Sequence, residues 1–416
     1  MHILFLTDNF PPEVNAPASR TFEHCREWVR IGNRVTIITC VPNFPEGKVF
    51  KGYRNKLWQT EEIEGIRVIR VWSYITANSG FIKRILDYIS FMPPAVLASL
   101  FVRKPDLVIG TSPQFFTVCA AYAVGLLKGI PFVFELRDIW PESIKAVGAM
   151  HDSVVIKLLE KIELFLYQKS KLIIPVTHAF KEILINRGVD SNKIKVITNG
   201  VDVSRFVQTD KDPVLVEKYH LQGKFVAGYV GTHGMAHHLE TILEAASIAQ
   251  SKNIHDLCFI LLGHGACKEE LIELSKEKKL ENVLFIDSVT KDEVARYWSL
   301  LDISIIHLKK IGLFSSVIPS KLFECMAMGI PILHGVSGES SKIVTDNQVG
   351  VLFEPENAQD LFSKLIYIKN DKKSYHEFQK NSIRTSSKYD RSKLAKIYLK
   401  LLHSHSKLKH QLRYHN

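Results

Sequence analysis

Several familiar devices are missing from this chain. Met1–Leu6 has no basic start, and Asp8 and the Pro11-Pro12 pair interrupt the apolar opening too early for a signal-peptide core. No uninterrupted apolar run reaches the roughly 20 residues that a membrane span needs. The nearest, 85–102, is broken by Asp87 and Pro93-Pro94 and flanked by Lys83-Arg84 and Arg103-Lys104. Its preferred reading is a buried crossover helix pair; a helix lying in a membrane interface is the alternative. The six cysteines are scattered, several of them in strand-like runs, the usage of a reduced cytosolic protein and not of a disulfide scaffold. His255, Cys258, His264 and Cys267 repeat a His-x-x-Cys spacing, but Cys258 sits inside an apolar run, which argues against zinc. No Gly-x-Gly-x-x-Gly follows the first strand, so a dinucleotide oxidoreductase is excluded. Charged residues at 23% and aromatics at 10% exclude a disordered chain.

What is present is enough apolar material, 46% of 416 residues, for two ordinary domains. The opening reads strand (3–7), rigid loop (11–17), then an amphipathic helix capped by Ser19 and ending near Gly32. Strands follow at 35–39, 66–72, 107–110, 132–135, 172–175 and 195–197, with helical patterns such as 154–167 between them. The rhythm restarts after Gly223, with strands at 225–230, 257–262, 283–286, 303–307, 330–333 and 351–353. Alternation of this kind predicts two successive doubly wound α/β sheets, joined by a polar linker at 199–223. A ligand site is expected at the carboxyl ends of the strands, in a cleft between the halves.

The net charge is +11, and 391–416 holds seven Lys and Arg with no Asp or Glu. An acidic partner surface follows. Tyr398 and Tyr414 are the only aromatics among those charges, which argues against nucleic acid and for an anionic membrane face. Leu394, Ile397, Tyr398, Leu401 and Leu402 give one face of a helix, with Lys393, Lys396 and Lys400 opposite.

The densest chemical signal is Pro319-Ser320-Lys321-Leu322-Phe323-Glu324, leaving through Gly329-Ile330-Pro331 into a strand. Ser320 is placed to cap a helix whose start offers free N–H groups to phosphate oxygens, and Lys321 adds a point charge. Glu324, on the same turn, can accept two hydrogen bonds from a ribose diol. A plain charged helix start is the bland alternative.

These residues resemble the retaining glycosyltransferases of family 4, which have the GT-B fold. Asn199-Gly200-Val201-Asp202 with Phe206, and Gly263-His264-Gly265 before Lys268, agree with that family. His264 and Ala266 replace its usual Asp and Pro. Pro12, Arg137-Asp138-Ile139-Trp140-Pro141-Glu142 and Gly231-Thr232-His233-Gly234 resemble a narrower group, the O-antigen and capsule N-acetyl-L-fucosamine transferases. The resemblance implies an acceptor-binding domain of 1–198 plus about 390–416, and a donor-binding domain of 199–389 whose last helix crosses back to the first domain. It implies a UDP-sugar donor held by Gly231, Thr232, His233, His237, Gly263, Val289, Ser315, Ser316, Ser320, Lys321 and Glu324.

Departures from the pattern sharpen these expectations. Ser316 stands where the family has the first of two glutamates, so Ser315, Ser316 and the N–H groups of 314–318 must hold the donor sugar. Thr232 and His237 replace an arginine and a lysine, leaving Lys321 and a protonated His233 or His237 to stabilise the departing diphosphate. On the acceptor side stand Asn15, Arg20, Arg137 and Asp138, with Asp138 the candidate for orienting or deprotonating the acceptor hydroxyl and a turn salt bridge its structural alternative. No Asp-x-Asp follows a strand, so no metal cofactor is indicated. Retention of configuration, a lipid-linked saccharide acceptor and a peripheral place on the cytoplasmic membrane face are implied. A nucleotide-sugar 2-epimerase of the same fold is the competing enzyme, and a basic nucleic-acid-binding protein the competing class.

Overall fold

A computed structural model of the protein describes residues 1–44, 46–76, 81–140 and 154–406, with backbone alone at 81–84. Pro141, Glu142 and the tail beyond Ser406 therefore lie outside the described residues. The chain divides into two compact units, the first from Met1–Thr198 with the segment that begins at Arg391, the second from Asn199–Asp390.

Seven described strands build the sheet of the first unit: β1 (His2–Leu6), β2 (Arg34–Thr39), β3 (Trp58–Ile63), β4 (Ile66–Val71), β5 (Leu107–Thr111), β6 (Phe132–Leu136) and β7 (Leu172–Pro175). Their order is β3-β4-β2-β1-β5-β6-β7. All neighbours are parallel except the edge strand β3, which runs antiparallel with Trp58 opposite Val71. The period of two sorts the side chains. Ile3 and Phe5 face a core shared with helices Ala16–Arg30 and Arg391–His405. Leu4 and Leu6 face a second core under helices Phe81–Leu100, Phe115–Lys128 and Val154–Lys169. The returning helix is anchored by a 2.9 Å hydrogen bond from Trp28 Nε1 to Ala395 O, by Trp28 packed edge-on against Tyr398, and by an Arg391–Glu23 ion pair.

The second unit repeats the plan with β8 (Phe225–Val230), β9 (Leu257–Leu262), β10 (Val283–Ile286), β11 (Ile303–His307), β12 (Ile332–Gly335) and β13 (Gly350–Leu352). All are parallel, in the order β10-β9-β8-β11-β12-β13. This is the doubly wound order, with its switch point between β8 and β11.

Four expectations need correction. Asn15, not Ser19, caps the first helix, accepting from Ala18 N at 2.9 Å; Pro17 fits the helix start because its missing donor would be unused there. Pro93 and Pro94 do not split a helix pair but lie within one helix, Phe81–Leu100. The segment 195–197 runs beside β7, Lys195 N and Ile197 N bonding to Ile173 O and Pro175 O, yet forms no strand, the one bridge there pairing Ile194 with Ile173. The expected linker is packed structure, since Val201, Phe206, Leu215 and Leu221 enter the core of the second unit.

Candidate active site

Parallel strands deliver their carboxyl ends to one edge of a sheet. In the second unit this edge carries the Gly231–His237 loop after β8, the Gly263–Cys267 loop after β9, Val289 beyond β10, and the turn 312–316 beyond β11. The first two loops are stitched together: Gly231 N bonds to Leu262 O, His233 N to His264 O, and Cys267 N to His233 O. Only glycine fits this seam. A Cβ on Gly263, at φ +149°, would lie 1.8 Å from Gly231 O, and one on Gly231 would lie 2.8 Å from Lys321 Nζ.

Lys321 begins the helix Lys321–Ala327, and its stem is half-buried. Its Nζ is shut from solvent, has no hydrogen-bond partner, and stands 3.5 Å above the ring centre of Tyr229. Burial pushes this ammonium from its ordinary 10.5 down to about 7, against the upward pull of Glu324. Tyr229 is in turn fixed by its hydroxyl, which donates to Thr232 O at 2.8 Å. Sequence reasoning missed Tyr229. The available signal was an aromatic with a polar tip two residues before the glycine that ends β8, opposite the only cation of the 319–324 motif.

Around this cation stand two imidazoles with open nitrogens. His233 is buried with neither ring nitrogen partnered, and His237 leaves Nδ1 unpartnered. Their rings lie 6.0 and 5.8 Å from that of Tyr229. The free protein supplies no protonated histidine here. Burial first, then the Lys268 and Lys321 charges, lowers His233 to about 4; burial and Lys321 lower His237 to about 3. Both are neutral near pH 7, each offering one N–H in place of a charge. The loop is steadied by His307, which accepts from Glu356 N at 2.9 Å and so donates from Nδ1 to His237 O at 2.8 Å.

Glu324 lies three residues beyond Lys321, on the same side of the helix and half-buried. Ser320 occupies the cap position in helical conformation, but its side chain makes no cap hydrogen bond; the first amides are taken up by Leu322 N to Pro319 O and Phe323 N to Ser320 O. With seven residues and those bonds, this helix end is a weaker candidate for holding an anion than Lys321. Segment 314–318 is likewise not an open row of donors. Its 3-10 turn uses Phe314 N and Val317 N internally, and the Ser315 and Ser316 hydroxyls donate to Gly312 O and Leu313 O at 2.6 and 2.7 Å. Those hydroxyls keep lone pairs and so remain available as acceptors. Val289 packs half-buried against the core.

In the first unit, Arg137 and Asp138 follow β6. Ser112, at the end of β5, accepts from Arg137 N at 2.8 Å and from Asp138 N at 3.2 Å, fixing this corner. Arg137 has Nε and Nη1 buried without partners, and burial lowers its guanidinium to about 10. Arg20 is different: it is buried and bonded to Glu135 Oε1, Thr198 O and Ile197 O at 3.1, 2.7 and 2.9 Å. It staples the sheet to 197–198 and does not present its charge to an acceptor. Asn15 is spent on the helix cap and on Asn9. Among the described residues, no three His, Cys, Asp or Glu side chains are placed to share a metal ion.

Two consecutive Rossmann-like sheets, with a desolvated lysine and two imidazoles at the carboxyl edge of the second, are those of a GT-B glycosyltransferase. Residues 18–205 match the model of the Glycosyltransferase Family 4 domain and residues 214–385 that of the Glycosyl transferases group 1 domain. The chain is 24% identical over 341 residues to the putative colanic acid biosynthesis glycosyl transferase WcaI of Escherichia coli, covering 79% of this chain and 82% of that one. It is 24% identical to the N-acetylgalactosamine-N,N'-diacetylbacillosaminyl-diphospho-undecaprenol 4-alpha-N-acetylgalactosaminyltransferase of Campylobacter jejuni, over 57% of this chain and 61% of that one. Among solved structures, Anabaena HepE in complex with UDP-glucose superimposes with a TM-score of 0.72 at 16% identity, covering 97% of this chain and all of that one (100%).

Proposed function

We propose that the enzyme moves a sugar from a UDP-sugar to a polyprenyl-diphosphate-linked saccharide, with retention of configuration, in the assembly of an O-antigen or capsule. The observation that carries this reading is the Lys321 ammonium, desolvated and without a hydrogen-bond partner, beside the open nitrogens of His233 and His237. A buried cation of this kind is costly unless an anion completes it, and a diphosphate has the charge and the oxygens to do so. Glu324, on the same turn, suits the ribose diol.

When the donor's C1–O bond to the diphosphate breaks, Lys321 and the two imidazole N–H groups take up the growing negative charge. The acceptor hydroxyl attacks C1 from the same face, and its proton passes to the departing diphosphate; Asp138 orients that hydroxyl. An N-acetylated deoxyhexosamine, N-acetyl-L-fucosamine first, is the donor sugar to test. Support for a lipid-linked acceptor comes from the Campylobacter relative's undecaprenol-linked substrate, and for UDP from the HepE complex. The exposed Lys393, Lys396 and Lys400 of the last described helix add a basic surface suited to anionic lipid.

A thermal-shift screen over UDP, GDP and their sugars tests the reading, because stabilisation follows ligand concentration over dissociation constant. UDP is expected to stabilise more than GDP. No shift with any nucleotide would refute it.

A further inference from the structure

Helices on a sheet face normally turn apolar residues inward and polar residues outward. Helix Phe81–Leu100 does not. Between residues 85 and 100 every exposed position is apolar: Leu86, Ile89, Pro93, Leu97 and Leu100. At 100° per residue these positions fall within about 80° of one another, so they form one stripe along the outer face. The opposite face carries Phe91, Ala95 and Ala98 into the core, so the helix is apolar on both sides. Such a helix belongs inside a large core or a bilayer, yet this one covers the outside of the sheet.

The stripe continues past the helix end. Phe101 is 70% exposed and packs edge-on against the half-exposed Trp58 of β3, beside Leu57 at 79%. Lys128 Nζ donates to Val102 O at 3.0 Å, which brings up the end of helix Phe115–Lys128 with its exposed Leu126 and Leu127. The third helix of this layer, Val154–Lys169, packs through Phe165 on Tyr122 and exposes Val154, Leu158 and Phe165 interleaved with Lys157, Lys161 and Lys169.

Charge surrounds the apolar surface with one dominant sign. Arg54, Lys56, Arg103 and Lys104 are exposed at the Phe101 corner. The acidic groups of these elements are partly withdrawn or set apart: Asp87 and Glu160 are half-buried, Glu163 is buried, Glu61 is half-buried and ion-paired to Arg70, and the exposed Glu62 is four residues along β3 from Trp58. No described helix is long and apolar enough to cross a membrane.

We propose that this helix layer of the first unit is the membrane-docking surface of the enzyme, with the stripe Leu86–Phe101 lying in the interface of an anionic leaflet and the flanking lysines and arginines on its headgroups. A protein partner fits less well, because protein interfaces are depleted in lysine and enriched in aromatics and methionine, whereas this surface is mainly aliphatic with a lysine-rich rim. Long cationic side chains can lie along apolar surface while keeping their charge at the headgroups. The proposal deepens the lipid-linked acceptor reading and places the contact on the helix layer in addition to the C-terminal tail.

The test is co-sedimentation of the full chain with vesicles of phosphatidylglycerol and phosphatidylcholine, or of phosphatidylcholine alone. Wild type is expected to bind the anionic vesicles, more weakly as salt is raised. The triple variant Leu97→Gln, Leu100→Gln, Phe101→Gln is expected to bind at least about tenfold more weakly, because it removes three large apolar groups from the interface. All three sites are exposed, so folding should persist, and an unchanged UDP thermal shift verifies that separately from docking. Arg103→Gln with Lys104→Gln should lose the preference for anionic vesicles. Equal sedimentation of the triple variant and wild type overturns the proposal, as does failure of wild type to sediment while it elutes as a complex with itself. Failure of the nucleotide shift alone would count against the donor reading and leave the docking surface standing.

Discussion

The two sheets share a strand order apart from the added edge strand β3, yet their carboxyl edges are finished in opposite ways. In the second unit the edge leaves its cation and two imidazoles without partners. In the first, Arg20 is saturated by Glu135 and two carbonyls, and Asn15 is consumed by a cap. Arg137 alone retains open, buried guanidinium nitrogens there among the residues considered for the acceptor. A charged side chain at a strand end is thus equally available for structure or for ligand. What separates the two uses is whether the protein itself completes its hydrogen bonds.

The sharpest way to break that comparison is Arg20→Ala. If Arg20 is structural, its loss strands Glu135 in the core and destabilises the first unit by about 3–5 kcal/mol, while UDP affinity is unchanged. Chemical denaturation with parallel nucleotide titration decides this; a stable variant with altered acceptor kinetics would return Arg20 to the substrate side.

Lys321→Met reverses the pattern. It should cost about 2–3 kcal/mol of UDP affinity, the worth of a charged hydrogen bond, without lowering the melting temperature of the free enzyme. A variant that melts early but binds UDP normally would make Lys321 a structural residue.

The same lysine sets a pH dependence. In the free enzyme it loses its proton from about pH 7, whereas unfolded chain holds it to 10.5. The unfolded state therefore binds more protons across that window, so this group makes unliganded stability rise with pH. UDP binding needs the charged form, so affinity should fall by up to about tenfold per pH unit above 7. Calorimetric titration from pH 6.5 to 8.5 measures this. Lys321→Arg should flatten the slope if it binds at all, and a steep slope persisting in that variant would assign the titration elsewhere.

Glu324→Gln should cost about 1–2 kcal/mol with UDP and much less with a 2'-deoxy analogue, since only the ribose diol is lost. Equal losses with both would remove Glu324 from the ribose. Smallest of all, Ser316→Ala should alter UDP affinity by less than about 0.5 kcal/mol, since its hydroxyl serves its own turn.

Much of the second unit was legible in the sequence because buried parallel strands are short continuous apolar runs, and β8, β9 and β11 are of that kind. Strand β3 was not legible. Trp58–Ile63 is a polar edge strand whose pairing with β4 comes from contact, not from composition. The helix through Pro93-Pro94 was misread for the opposite reason, since local propensity argued for a break that packing overrode. At the site, Lys321 and Glu324 were visible as a motif. The charge state of His233 and His237 was not, because it follows from burial and from Lys268 and Lys321, distant along the chain, none of which is written locally.

The return of helix Arg391–His405 to the first sheet has a consequence for the order of synthesis. Tyr398 and Leu402 complete a core begun by Ile3 and Trp28, yet nearly 400 residues separate them along the chain. The second unit is continuous, from Asn199 to Asp390, and has all its strands before the last helix leaves the ribosome. The first unit therefore closes only after the second has been made: until Arg391–His405 emerges, the apolar face of Trp28 and Ile3 stands without its cover and is the surface a chaperone would meet.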